Sequence, residues 1–294
     1  MSTEPASLPS TAASALPSAW SGLLDDAATF PPGDVPLAEA VETYDARRSQ
    51  WYAGLVGSLV CKDTDLGSVD RRLPLSVVVS GGAGGVAGAL RLAVRHDHHV
   101  AGLEVALRDL DDLPGNARRV VAAVEAARAE GVLADDTAVY VELPQADPGT
   151  GWLAAADEVA AAELRLKLRT GGLDADLFPS AARLAACIDA ALDRETPFKC
   201  TAGLHHAVRH RDEATGFAHH GFLNVLLATR ALFDGATAAD AVALLESTDG
   251  ASLAGRADES AVTGARRWFT SFGSCSVREP LDDLLALGLL QETP

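Results

Sequence analysis

The chain has 294 residues, is 48% hydrophobic and carries a formal net charge of −17. That charge repels nucleic-acid phosphates and anionic membranes, and no run of about 20 apolar residues is present to span a bilayer. Four cysteines at scattered spacings (Cys61, Cys187, Cys200, Cys275) do not form a disulfide framework, and no positive, apolar leader opens the chain, so a cytoplasmic protein is expected.

Residues 1–20 are rich in Ser, Ala, Pro and Thr, which predicts a disordered tail ahead of one domain over 21–294. Strands are expected at 22–26, 52–61, 73–80, 100–107, 138–143, 163–169, 198–202 and 268–276. Helices are expected at 36–49, 86–94, 117–128, 152–162, 179–194 and 280–287. Two more, at 221–234 and 237–247, place an extra helix between strands seven and eight. Eight strands in strict alternation with helices imply parallel pairing through right-handed crossovers. An open doubly wound sheet also alternates, but a count of eight favours a single (β/α)8 TIM-type barrel, an α/β fold.

Two lysines stand near the ends of consecutive strands. One lies in Leu166-Lys167-Leu168-Arg169-Thr170-Gly171-Gly172 and the other in Phe198-Lys199-Cys200-Thr201-Ala202-Gly203. Side chains alternate across a strand, so Leu164, Leu166 and Leu168 are expected to face the helices, and Arg165, Lys167 and Arg169 the barrel axis. Solvated charges on an edge strand would give the same pattern, but a closed barrel has no edge. Inward cations then need carboxylates or substrate to balance them. Glu104, Glu142 and either Asp25 or Asp26 stand on neighbouring strands to do so. Two ammonium groups held close are expected to lower each other's pKa, and a neutral amine attacks carbonyls. A purely structural salt-bridge lattice of the same residues is the alternative.

These motifs resemble the deoxyribose-phosphate aldolases, class I aldolases built on this barrel. Lys167 before Thr170-Gly171 is similar to the family's Schiff-base lysine on strand six. Lys199 before Ala202-Gly203 is similar to its second lysine on strand seven. Glu142 looks like the carboxylate ending the preceding strand, Glu104 falls where the family has an aspartate, and Gly273-Ser274-Cys275-Ser276 is similar to its eighth-strand Gly-Ser turn. The likeness spans roughly residues 100–210, with a fainter echo near 273. Three departures point to another substrate, with or without phosphate: the longer Glu104, Arg169 beside the nucleophile, and His205-His206 in place of a glycine loop.

The resemblance and the charges together assign expected roles. Lys167 is the nucleophile, and Lys199 with Arg169 keeps it neutral by like-charge repulsion. Glu104 moves protons. Arg169, Thr170, Glu142, His205, His206, Asp25, Ser274 and Ser276 are expected to bind substrate. Lys167, Lys199 and Glu104 thus form the expected catalytic set, with no cofactor and no metal.

Five histidines (His205, His206, His210, His219, His220) follow strand seven within 16 residues. With Cys61, Cys200 or Cys275 they offer zinc donors, yet no metal-binding spacing such as HExxH or CxxC is present. They are expected at the pocket mouth. His96, His98 and His99 are expected on the surface at the opposite end. Ser80-Gly81-Gly82-Ala83-Gly84-Gly85 opens a helix and could cradle phosphate, but lacks GxGxxG spacing and reads as a flexible mouth loop.

The sequence therefore predicts a Schiff-base aldolase or lyase acting on a small carbonyl or anionic compound, open to homo-oligomerisation, with no nucleic-acid or membrane partner. A metal-dependent hydrolase or isomerase using the histidine loop with Glu104 and Glu142 is the second reading. A non-catalytic, small-anion-binding barrel is the third.

Overall fold

The computed structural model describes residues 16–292. Eight parallel strands close into a barrel: β1 (Leu24–Asp26), β2 (Val56–Lys62), β3 (Pro74–Val79), β4 (His99–Ala106), β5 (Ala138–Glu142), β6 (Arg165–Arg169), β7 (Phe198–Thr201) and β8 (Phe269–Ser274). β1 bonds to both β2 and β8 and completes the ring. The α/β barrel expected from strand count and alternation is the fold.

Period-two patterning sets the two faces of each strand. Leu75, Val77 and Val79 of β3, Leu103 and Val105 of β4, and Leu166 and Leu168 of β6 are buried in the hydrophobic core outside the barrel wall. That layer is covered by α1 (Leu37–Arg47), α2 (Val86–Arg95), α3 (Leu113–Ala129), α4 (Thr150–Ala161) and α5 (Ala181–Leu192). In α5, Leu184, Ile188 and Ala191 recur at helical spacing and are buried. Each large apolar side chain so covered stabilises the fold by roughly 1.5–3 kcal/mol. Ser180 starts α5 by accepting from the Arg183 N–H, and Asp112 starts α3 by accepting from that of Gly115.

The strict alternation has one exception. β2 and β3 are joined by a 3-10 helix, Asp63–Ser68, instead of an α-helix. The linker is short, and its Asp63 carboxylate is used across the turn: it accepts from the Ser80 N–H at 3.0 Å and from the Ser80 hydroxyl at 2.5 Å. That bond ties down the glycine-rich segment after β3, which is itself a 3-10 turn over Gly82–Gly85. The segment expected as a loose loop is thus pinned by a carboxylate.

The connection between β7 and β8 is larger than expected. It holds a short antiparallel pair, His210–Arg211 with Ala218–His219, and then α6 (Phe222–Phe233), α7 (Ala238–Glu246), α8 (Gly250–Ala254) and α9 (Glu259–Arg266). The last two helices are short, and their periodicity is too brief to separate from loop. α10 (Arg278–Ala286) follows β8.

The expected disordered tail falls mostly on residues 1–15, outside the described residues. Its last part is corrected: Ser18–Trp20 forms a 3-10 turn with Ala19 and Trp20 buried. An indole this large is driven into the apolar core despite its Ser- and Pro-rich flanks.

Candidate active site

The barrel interior is polar where many such barrels carry aliphatic layers. Cα register places Glu142 beside Lys167, and Lys167 beside Lys199, on β5, β6 and β7. Their side chains point inward because Leu166, Leu168, Phe198 and Cys200 take the outer face.

One carboxylate joins the two lysines. Glu104 Oε2 lies 2.6 Å from Lys167 Nζ, and Glu104 Oε1 lies 2.7 Å from Lys199 Nζ. Lys167 also meets Glu142 at 2.9 Å, and Glu142 in turn meets Arg169 Nε at 3.1 Å. Lys199 meets Asp25 Oδ2 at 2.7 Å. Three hydroxyls complete the carboxylates' shells: Ser76 donates to Glu104, and Ser58 and Ser271 donate to Asp25, at 2.6–2.7 Å. Lys199 stands 5.1 Å from the centre of the Tyr140 ring, whose hydroxyl accepts from Arg165 Nη1 at 3.1 Å. The charge-assisted bonds in this set are the strong kind, and those of Glu104 with the two lysines are fully buried, whereas the Glu142–Arg169 pair is partly exposed.

The expected depression of Lys167's pKa is reversed. Burial works to lower it, but the Glu104 and Glu142 carboxylates outweigh burial and hold the ammonium above its ordinary value. Lys199 is likewise raised, with Asp25 and Glu104 overcoming burial. Burial would raise both glutamates, but Lys167 with Lys199 holds Glu104, and Lys167 with Arg169 holds Glu142, below the usual carboxylate range. Cation–cation repulsion was the wrong dominant effect, because carboxylates stand between the cations at shorter range.

These shifts set a pH window. The depressed glutamates stabilise the fold above about pH 4.3; that contribution drains as pH falls below it, through their folded pKa values. The raised lysines stabilise it below about pH 10.4 and lose this as pH rises through theirs. Urea unfolding across pH should show a plateau between these limits, with a shallower loss on both sides of it in Glu104→Gln. An unchanged pH profile in that variant would refute the linkage.

The other expected site residues divide sharply. Asp25 joins the lattice, whereas Asp26 pairs with Arg47 of α1 at 2.7 Å. Arg169 stands at the strand end, partly exposed, at the mouth. Thr170 is fully buried; its N–H donates to the Thr201 carbonyl at 2.9 Å and its hydroxyl to the Thr201 and Ala202 carbonyls, so it stitches β6 to β7. The glycines of the two lysine motifs serve the same junction. A Cβ on Gly171 would come within 2.9 Å of the Gly203 Cα, and Gly203 has φ +78°. Ser274 Oγ accepts from the Ser276 N–H, and Ser276 Oγ from the Glu279 N–H, which shapes the start of α10.

The histidines do not act as one group. His205 Nδ1 lies 2.8 Å from Glu279 Oε2, and His206 Nδ1 lies 3.1 Å from Asp283 on α10. His206 and His210 line a groove along α10 with Val208 and Leu287. His219 packs on Phe178, and its Nδ1 lies 3.3 Å from the Gly203 carbonyl. His220 is buried, 2.8 Å from the Pro179 carbonyl, and burial pushes its pKa down to about 4. No three His, Cys, Asp or Glu side chains among the described residues are arranged to hold a metal ion. Of the three early histidines, His98 is only half exposed, its Nε2 2.7 Å from the Leu66 carbonyl.

Sequence reasoning missed Ser58, Ser76, Tyr140 and Ser271. Each lies on the inner face at the spacing that marks Glu104 and Lys167, so period-two reading of β2, β3, β5 and β8 would have found them. It also missed a count. The chain has 21 arginines and three lysines, Lys62, Lys167 and Lys199. Lys62 ends β2 on the face of Ser58 and Val60, with its Nζ 5.7 Å from the Phe30 ring in the loop after β1. Below Lys199 a cavity of about 240 Å³ opens toward the strand starts, where Gly22, Gly57, Ala101 and Ala138 leave the base unfilled.

No family model, no curated protein and no solved structure matches the chain.

Proposed function

We propose that the barrel is a Schiff-base lyase of the aldolase type, with Lys167 as the nucleophile toward a small carbonyl compound. The observation that carries this reading is the placement of lysine. Arginine supplies the surface's positive charge apart from the exposed Lys62 at the end of β2, whereas Lys167 and Lys199 are buried on the inner barrel face. A guanidinium would serve a structural ion pair at least as well; only an amine forms an imine.

The resting lattice holds Lys167 charged, so the neutral amine arises by internal transfer. As the carbonyl arrives, Lys167 gives its proton to Glu104, and both become neutral. In a buried site this costs less than separating the pair, because it removes two charges from low dielectric. The amine then adds to the carbonyl carbon and passes one of its protons to the oxygen; the Glu104 proton returns to the resulting carbinolamine hydroxyl, which leaves as water, and the protonated imine remains on Lys167 opposite the restored Glu104 carboxylate. Lys199 and Ser76, bonded to the other side of Glu104, keep the carboxyl oriented throughout. Arg169 at the mouth offers a paired-donor contact to a substrate carboxylate or phosphate, and Lys62 offers a second cation.

The test is reduction with borohydride in the presence of a panel of aldehydes and 2-ketoacids. The expected result is one reduced adduct on Lys167 with at least one member of the panel. Absence of any lysine adduct across the panel would leave the lattice as a structural network.

A further inference from the structure

The cavity at the barrel base stands at the opposite end from the mouth where Arg169 lies, and the imine chemistry makes no use of it. Its volume is about 240 Å³. Sites for drug-sized ligands run to roughly 300–1,000 Å³, so this one suits a molecule of a few heavy atoms. Residues without side-chain bulk keep it open, Gly57 among them. Sterics do not demand glycine at that position. A Cβ on Gly57 would come no nearer than 3.4 Å to its neighbours, an ordinary contact, and its backbone is not left-handed. What this glycine supplies is space.

Arg165 lines the cavity and is the cation that the lattice leaves over. β6 and β7 carry four inward cations: Arg165, Lys167, Arg169 and Lys199. Three carboxylates, Asp25, Glu104 and Glu142, pair with the last three of these. Among the described residues Arg165 has no carboxylate partner, and its one hydrogen bond runs from Nη1 to the Tyr140 hydroxyl at 3.1 Å. A guanidinium has five N–H donors, so four are left for the cavity and solvent. The group is nonetheless held in place. It lies 5.6 Å from the centre of the Tyr140 ring. Thr270 Oγ1 donates to the Phe198 carbonyl and therefore accepts from Tyr140, whose own oxygen accepts from Arg165. Arg266 of α9 adds positive charge at the same end, where it donates to the Ser21 and Thr270 carbonyls.

The other polar groups of the lining have given up their protons. Ser58 and Ser271 donate to Asp25, and Ser76 donates to Glu104. No hydrogen bond to these three oxygens arises among the described residues, so they offer the cavity lone pairs only. Asp25 also lines it, but Lys199 and the two serines already engage its carboxylate. The cavity thus presents cationic paired donors from Arg165 and neutral acceptors from the serines. We infer that the barrel base binds a small hydroxycarboxylate, its carboxylate on Arg165 and its hydroxyl donating to a serine oxygen. A carboxylate without a hydroxyl leaves the acceptors unanswered, and a neutral polyol leaves Arg165 unmatched. The inference holds whether or not Lys167 forms an imine.

Titration calorimetry of the full chain with glycolate, acetate and sulfate tests it. Glycolate is expected to bind one to one with a Kd at or below about 1 mM, within reach of so small a ligand. Acetate and sulfate carry no hydroxyl and should bind about tenfold more weakly. Arg165→Met should weaken glycolate binding by about tenfold or more. Arg169→Met removes the cation at the mouth and should leave glycolate binding unchanged. Gly57→Val narrows the cavity with Arg165 intact and should also weaken binding; it decides the matter if urea unfolding shows that Arg165→Met does not fold. Absence of saturable glycolate binding, equal affinity for acetate, or a loss in Arg169→Met with none in Arg165→Met or Gly57→Val would overturn the inference.

Discussion

Lys167→Arg is expected to abolish the borohydride-trapped adduct while leaving the protein folded. Arginine keeps the positive charge that Glu104 and Glu142 require, so the lattice retains its balance. It cannot supply a neutral nitrogen, because the guanidinium does not deprotonate in proteins. Loss of a covalent step lowers turnover to background, a larger effect than any repositioning. Lys199→Arg should behave differently. Lys199 lies deeper, between Asp25, Glu104 and the Tyr140 ring, and touches the cavity that opens at the barrel base. The bulkier guanidinium strains its contacts with Asp25 and Glu104 by about 1–3 kcal/mol, yet charge is kept and the adduct on Lys167 should persist. A mapped adduct on Lys199, or full activity in Lys167→Arg, would show that the two lysines have the opposite roles or that no imine forms.

Glu104→Leu should produce the largest loss of stability of any single change in the barrel interior. Among the described residues Glu104 is the sole carboxylate bonded to both Lys167 and Lys199, and its side chain is 2% exposed. Removing it leaves two buried ammonium groups with one carboxylate fewer between them, and loss of one member of a buried ion pair costs about 3–5 kcal/mol. Glu104→Gln keeps the shape and the Ser76 contact and should cost less. Both variants should lose catalysis by about 10²- to 10⁴-fold, the range for removal of a general acid–base group. Equilibrium urea unfolding and turnover with a trapped substrate measure the two effects separately. A change below about 1 kcal/mol in Glu104→Leu would mean that Asp25 and Glu142 alone balance the lysines.

The pKa reversal has a consequence for both variants. In the intact lattice the carboxylates, not the neighbouring cations, dominate the lysines, and the amine is unmasked by proton transfer to Glu104. Glu104→Gln should therefore lower the pKa of Lys167 while removing the acceptor that made the transfer productive. A lysine that becomes easier to deprotonate and yet slower in turnover would separate the role of Glu104 in moving protons from its role in balancing charge.

The barrel was legible in the sequence because its signals are local. Leu166 and Leu168 alternate with Arg165, Lys167 and Arg169 at period two, and Leu184, Ile188 and Ala191 recur at helical spacing; burying one face fixes both patterns wherever the segment lies. The inward direction of the two lysines followed from the same alternation once a closed sheet removed the alternative of an exposed edge. Short elements escaped it. Asp63–Ser68, Gly250–Ala254 and the His210–Arg211 pair are too brief to carry a period, and Trp20 is held by the core against its own flanks.

Partnership between side chains was decided by the tertiary structure. Asp25 and Asp26 are adjacent, but successive residues of a strand face opposite sides, and only the closed ring determines that Asp25 meets Lys199 while Asp26 meets Arg47. Glu104 lies 63 and 95 residues from the two lysines it joins. The sign of the lysine pKa shifts turns on distances of 2.6–2.9 Å between those strands, because a carboxylate in contact outweighs a cation one shell away. His205 and Glu279 are likewise brought together by a chain that leaves the barrel after β7 and returns at β8. Sequence determined which face each residue takes, since that depends on period alone. Folding determined which charge each residue meets, since that depends on ring closure.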